Sequence, residues 1–510
     1  MTAYLLGIDV GTGGCKALLI DEQGNVVANV TTEYPLLTPK PLWSEQNPQD
    51  WYNETIKSIC KAIEEAQIDP KQVAAIGLTG QMHGLVLLDK NNQVLRPAIL
   101  WNDQRTAKQC DDIHKIVGLE NVIRITGKPA LTGFTAPKIL WVRENEPEIF
   151  AQTARILLPK DYVRFRLSGE YFSDVADASG TSLFDVANRC WSYEIIDALN
   201  IKRSWLPVVT ESPIASTKLS KEAARTTGIA SGIPIVAGAG DQAAEAIGCG
   251  VIDDGEVSVT IGTSGVVFAA TNNYRPDTQG KLHTYCHAIE GVWHAMGVML
   301  SAGGSLRWYR DTLCKDEIAR AASQNVDPYD LLIEEASHIP AGNEGLFFLP
   351  YLTGERTPHA DPNARGAFIG LTLRHNKQHM TRALLEGVTF GLMDCLELVR
   401  ALGTNITKVR VSGGGARSQL WRQIMADIFE TEIATVNITQ GAAYGAALLA
   451  GVGVGIFDNV RNVAHSLVKE TSSAMPGPNA SIYREYYQQY RLLYPALADQ
   501  FNAIGSLPGC

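Results

Sequence analysis

The sequence predicts an α/β protein of two domains facing each other across a cleft. Three observations carry this. Leu5–Ile20 (LLGIDVGTGGCKALLI) reads as strand, glycine turn, strand, because short apolar runs flank glycines that permit tight backbone geometry. The same kind of element recurs at Val257–Ala270 (VSVTIGTSGVVFAA), with hydroxyls in the turn but no acid. A chain of 510 residues is too long for one core, so two domains of roughly 250 residues each are expected, divided near Gly250 into 1–250 and 251–510.

Taken in order, a third strand follows at Val26–Val30, and Pro35, Pro39 and Pro41 mark a loop. Asn47-Pro48 and the acids after it start a helix running to about Ala66. Val73–Thr79 and Leu85–Asp89 read as strands joined by the polar loop GQMHG. WNDQRTAKQC opens a helix, and Gly133–Asn145 carries another with Pro137 near its first turn. Leu157–Trp205, with single aromatics and short turns, reads as an insertion or cap over the first domain. Ile233–Ala237 is a strand leading into the glycine-rich turn and Ala-rich helix of GAGDQAAEAIGCG. Gly345–Pro350 and Val409–Val411 are further strands, and Asn376–Leu402 is a long amphipathic helix. Tyr483, Tyr487, Tyr490 and Tyr494 form a stripe expected to pack a C-terminal helix against the body.

Composition narrows the function. Hydrophobic content of 45% and charge of 19% are those of a globular protein, and 54 acidic against 44 basic residues argue against a nucleic-acid or anionic-membrane partner. The nine cysteines are dispersed, with no CxxC, which fits reduced thiols in the cytoplasm. No basic-then-apolar leader precedes the first strand, and no apolar run approaches the ~20 residues needed to span a bilayer.

The chemistry concentrates in the glycine loops. Both hairpin turns offer backbone N–H groups to phosphate, through Gly11 and Thr12 in the first and Gly262, Thr263 and Ser264 in the second. Asp9 would repel phosphate unless a divalent cation lay between them, so Mg²⁺ with a nucleotide is inferred; the plainer role for Asp9 is a turn-forming acid. Gly413, Gly414, Gly415 and Ala416 follow a strand and open a helix, which lets a flat ring approach the backbone. Gly238, Gly240 and Ala243 satisfy GxGxxA, but Asp241 stands where pyrophosphate would lie and the next strand lacks a ribose-binding acid, so a dinucleotide fold is set aside. Asp241 is instead either a helix cap or an acid that accepts a proton from a hydroxyl nucleophile. Met82 and His83 in GQMHG, and Trp101 and Asp103 at the end of a later strand, could line a polyol pocket.

The set GIDVGT, GQMHG, WNDQR, GFTAPKILWVREN, GAGDQAA, IGTSG, FLPYLTGERTPH, RGAFIGLT and SGGGARS resembles the FGGY carbohydrate kinases, from Asp9 to about Gly445. Within that family it is most similar to the bacterial members that phosphorylate xylulose. The resemblance implies an actin-like ATPase fold of two ribonuclease-H-like domains, with the active site between them. It also implies transfer of the γ-phosphoryl group of Mg-ATP to the terminal hydroxyl of a ketopentose, D-xylulose first, with another pentulose or a polyol as the alternative. Asp241 would be the catalytic base and Asp9 the magnesium-organising acid. Met82 and His83 would contact the sugar, Thr263 and its glycines would hold phosphate, and Gly413–Ala416 would hold adenosine. In those relatives Asn typically follows the catalytic acid, where this chain has Gln242, a departure at a sugar-contacting amide. A sugar and ATP are the expected partners, a homodimer is allowed, and a non-catalytic actin-like sensor or chaperone is the rival from another class.

Overall fold

The structure is a computed structural model describing residues 2–507, so Cys510 lies outside the described residues. The chain opens with β1 (Tyr4–Val10), β2 (Gly14–Asp21) and β3 (Val26–Glu33), an antiparallel meander whose inward residues are fully buried. Helix α1 (Pro48–Ala66) starts where expected: the Asn47 side chain accepts from Gln49 N–H, Pro48 occupies the first turn, and Trp51, Thr55, Ile59 and Ala62 make the buried face. β4 (Val73–Gly80) returns parallel to β1. Further on come α2 (Thr135–Asn145), α3 (Pro159–Ser168), β5 (Ala215–Lys218) and β6 (Pro234–Val236). The sheet order is β5-β6-β4-β1-β2-β3, with the short strand Ala239–Gly240 also paired to β4. Helix α4 (Asp241–Gly248) leaves the end of that short strand.

The second half repeats the scheme. β7 (Glu256–Ile261), β8 (Gly265–Thr271), β9 (His283–Cys286) and β10 (Trp293–Met299) are followed by helices α5 (Gly303–Leu313), α6 (Pro328–Ser337) and α7 (Lys377–Ala401). Then come β11 (Lys408–Gly413), α8 (Gln419–Phe429), β12 (Glu432–Val436), α9 (Gly441–Gly453), β13 (Glu470–Ala474) and α10 (Ala480–Gly505). The sheet runs β9-β10-β8-β7-β11-β12-β13. In both sheets the first strand lies between its antiparallel hairpin partner and a parallel crossover strand (β2-β1-β4 and β8-β7-β11), so both glycine hairpins sit at the same end of equivalent sheets. This duplicated mixed α/β fold is that of the actin-like, ribonuclease-H-like ATPases.

Helix α9 belongs to the later half of the chain yet lies on the first sheet, and it also crosses α4. Glycines make the approach possible. A Cβ at Gly7 would stand 2.0 Å from the Ala443 carbonyl oxygen, at Gly77 1.9 Å from that of Ala446, and at Gly445 1.9 Å from that of Ala244. No side chain fits at such distances. Gly445→Ala is therefore expected to lower unfolding free energy by about 1–3 kcal/mol or more through overpacking, while Gly13→Ala, where an added Cβ meets nothing within 4 Å, leaves it nearly unchanged. Urea titration of the two variants reads the difference.

The segment Leu157–Trp205 corrects the sequence expectation in part. Its helix α3 is core, not cap: Tyr162, Val163 and Leu167 are buried with α1 and the first sheet. The Tyr stripe on α10 packs against the body as expected, specifically toward α7, and its hydroxyls find partners there or nearby; Tyr483 donates to Glu386, Tyr487 to Asp394 and Tyr494 to Asp361. No helix among the described residues is long and apolar enough to cross a membrane, and the eight described cysteines are all free.

Candidate active site

Asp9 stands near the end of β1, opposite Lys16 on β2 and Thr79 on β4. Its Oδ1 is buried with no hydrogen-bond partner. Burial raises the proton affinity of the carboxyl, and Lys16 opposes that. A buried carboxylate oxygen left without a donor beside a loop of backbone N–H groups is the donor set a hard divalent cation takes, so the residues present fit Mg²⁺.

Asp241 begins α4, and its Oδ1 accepts from Gln242 N–H at 2.8 Å. Burial first, then the charges of Asp9 and Glu245, push its carboxyl up to about 7. Burial is the larger part of that elevation, and the two neighbouring acids add to it. Glu245, one turn further along α4, accepts from Thr260 Oγ1 of β7 at 3.2 Å and Ser412 Oγ of β11 at 3.3 Å. It ties α4 to strands that end in the second and third glycine loops.

The first loop is braced by amides. Gln46 Nε2 donates to Thr12 O at 2.7 Å, Gln81 Nε2 to Gly11 O at 3.3 Å, and Tyr34 Oη also donates to Gly11 O. These bonds occupy the carbonyls and leave the loop's N–H side for an anion; Gly11 N–H is held by Gly14 O at 3.1 Å. Thr12 Oγ1 accepts from Trp101 Nε1 at 2.8 Å, so Trp101, 38% exposed, forms a wall beside the first glycine loop.

On the other side of Asp241, Met82 is buried beneath Gly240, the residue before it, and clusters with Tyr285, Met296 and Val298. His83 has φ +68°, a left-handed conformation that costs roughly 1–3 kcal/mol and recurs at functional sites. Lys138 Nζ and Thr135 Oγ1 of α2 both donate to its carbonyl. Burial holds the imidazole neutral, and Nδ1 lies 2.7 Å from Gly180 O. A carbonyl can only accept, so Nδ1 carries the proton and Nε2 is left as an acceptor for a sugar hydroxyl.

Asp103 departs from the expectation of a sugar contact. It is fully buried, its Oδ2 accepts from Ser44 N–H at 2.7 Å, and Arg105 grips both oxygens. Arg105 in turn lies 3.6 Å above the Trp43 ring and reaches Glu45. The carboxylate is consumed by this pair, so Asp103 shapes the loop that presents Trp101 and does not face the cleft. Gln242 adds a half-buried side-chain amide beside Asp241.

A cavity of about 750 Å³ lies against the second sheet, lined by Gly262 and Thr263 on one side and Gly414 and Gly415 on another. Helix α5 packs on the second loop: Ala302 and Gly304 N–H donate to Thr263 O, and Arg307 Nη2 to Thr263 Oγ1 at 3.0 Å. Gly413 has φ +81°, and a Cβ there would strike Ile261 O, so glycine is required for the bend into the cavity wall. A Cβ at Gly414 would meet nothing within 4 Å, which leaves that backbone open to the cavity. Ser264, Gly413 and Ala416 stand behind this lining. The remaining wall, with Leu306, Arg307, Tyr329, Ile333 and Trp421, was missed by sequence reasoning because helices α5 and α6 carry no phosphate motif.

Two family models cover the chain: the FGGY family of carbohydrate kinases, N-terminal domain, over residues 4–248, and its C-terminal domain over residues 257–454. The chain belongs to the FGGY family of carbohydrate kinases. Among relatives, the xylulose kinase of Bacillus subtilis is 39% identical over 504 residues, covering 99% of both chains. That of Escherichia coli is 40% identical over 493 residues, covering 96% of this chain and 99% of the other. The crystal structure of a xyloylose kinase from Brucella ovis superposes with a TM-score of 0.89 at 38% identity, covering 98% of this chain and 100% of that one. This FGGY kinase thus has two glycine hairpins at equivalent sheet ends and a cavity of about 750 Å³ beside the second.

Proposed function

We propose that this kinase transfers the γ-phosphoryl group of ATP to the terminal hydroxyl of D-xylulose in the cytoplasm, yielding the 5-phosphate. The observation that carries the reading is Asp241: a carboxylate pushed up to about 7 at a helix start, with Met82 packed beneath the preceding glycine. Asp241 orients the sugar hydroxyl and takes its proton as the bond to phosphorus forms; a loose transition state makes orientation the larger part of that work. His83 Nε2 accepts from a second hydroxyl and Gln242 hydrogen-bonds a third. The N–H groups of the Thr263 loop, with Arg307 behind it, stabilise charge on the transferred group. Asp9 would hold Mg²⁺, which supplies charge neutralisation between the phosphates. The 750 Å³ cavity accepts the nucleoside between the Gly414 loop and Tyr329. We also propose the division into domains 1–250 and 251–510, with the sugar on the first side and ATP on the second.

An ADP-release assay across ketopentoses, aldoses, pentitols, glycerol and gluconate tests the reading. D-xylulose is expected to give the highest kcat/KM. A higher value with glycerol or gluconate would overturn it.

A further inference from the structure

The motif at Thr353–His359 (TGERTPH) takes no part in the mechanism above, and it is built with care. Glu355 is buried, and its Oε1 accepts from Leu300 N–H at 2.9 Å and from Arg356 N–H at 2.7 Å. Thr357 N–H donates to Val298 O, and Thr357 Oγ1 accepts from Val298 N–H at 3.2 Å. The loop is thereby clipped at both sides to the end of β10, next to Val298, which shares a cluster with Met82 and Tyr285. Between these two anchors, the partly buried Arg356 side chain forms no hydrogen bond or ion pair to any described residue, and only its backbone N–H is engaged. Other buried arginines of this chain are paired: Arg105, Arg164, Arg382 and Arg410 all hold carboxylates or carbonyls. None of its nitrogens is sealed from solvent, so the guanidinium of Arg356 stays open to the cleft with all its donors free for a ligand.

Its surroundings point to the ligand. Arg356 acts on Tyr285, whose ring lies 6.3 Å from that of His83, and its charge helps to keep His83 and His283 neutral. The Thr357 clip sets this loop on Val298, which clusters with Met82 and Tyr285 beside His83. Arg356 therefore belongs to the His83 side of the pocket. We propose that Arg356 is the sugar contact supplied by the second half of the chain, its guanidinium donating to oxygens at the non-reacting end of the sugar. The inference rests on the sugar-kinase reading of the same cleft. It gives the closing of the cleft a chemical reward that only bound sugar provides, since no acceptor among the described residues is in reach.

Arg356→Ala and Arg356→Lys test it by steady-state kinetics, with the melting temperature of each variant measured alongside. Loss of a charged hydrogen bond is expected to raise the sugar KM at least about 10-fold in Arg356→Ala. The ATP KM should stay within about twofold, Arg356→Lys should recover part of the effect, and added guanidinium ion should partly rescue Arg356→Ala. An unchanged sugar KM in both variants would overturn the proposal. So would a parallel decline of sugar and ATP parameters with a lowered melting temperature, which marks a structural role. Each variant is assayed with whichever sugar the wild-type chain prefers; a preference outside the pentuloses sinks the xylulose reading while leaving Arg356 to be judged on its own KM.

Discussion

Asp241→Asn is expected to reduce kcat for sugar phosphorylation by about 10²–10⁴-fold, the usual worth of a positioned general base. Sugar and ATP affinities should change little, because Asn keeps the shape and the bond from Gln242 N–H is only weakened. The wild-type pH profile belongs to the same prediction. Catalysis needs the carboxylate, and the carboxyl stands near 7, so kcat/KM should climb as pH rises through about 7 and level off above it. Stability runs the other way: the native state keeps a proton that the unfolded chain has already lost between about pH 4 and 7, so this group's contribution to stability falls as pH rises across that window. An Asp241→Asn protein with wild-type turnover, or one whose residual activity retains the acid limb, would remove Asp241 from the mechanism.

Asp9→Asn should raise the Mg²⁺ concentration needed for half-maximal activity by about 10–100-fold. The thermal stability of the metal-free protein should hold or increase, because the buried Oδ1 has no donor to lose and a desolvated charge is removed. Asp9 is also the largest charge raising the Asp241 carboxyl, so the acid limb of the residual activity should move to lower pH. Mg²⁺ titrations of ADP release at several pH values read both effects together. An unaltered Mg²⁺ requirement would mean that Asp9 is the turn-forming acid of the simpler reading.

The parts of the site legible in sequence are those made of backbone. Gly262, Gly413, Gly414 and the strands before them announce a loop whatever the rest of the fold does, and Asp9 and Asp241 stood out as acids in glycine surroundings. Side chains in polar loops were harder. Asp103 and Gln81 look alike in sequence as polar groups near a cleft, yet Asp103 is spent on Arg105 and Gln81 on Gly11 and Gln46. Which partner a buried polar group takes depends on residues far along the chain, here Ser44 and Gln46. Glu245 was invisible for the same reason: its partners, Thr260 and Ser412, lie on two later strands. The cap assigned to Leu157–Trp205 failed at α3 because aromatic residues at short spacing read alike in a core helix and an irregular excursion.

The placement of α9 on the first sheet has a consequence for how the protein is made. A ribosome releases residues 1–250 long before Gly441–Gly453 exists, so the glycine-lined face at Gly7 and Gly77 emerges without its covering layer. That face of the first sheet stays without its native cover until nearly nine-tenths of the message has been translated. Biogenesis, not only catalysis, joins the two ends of this polypeptide.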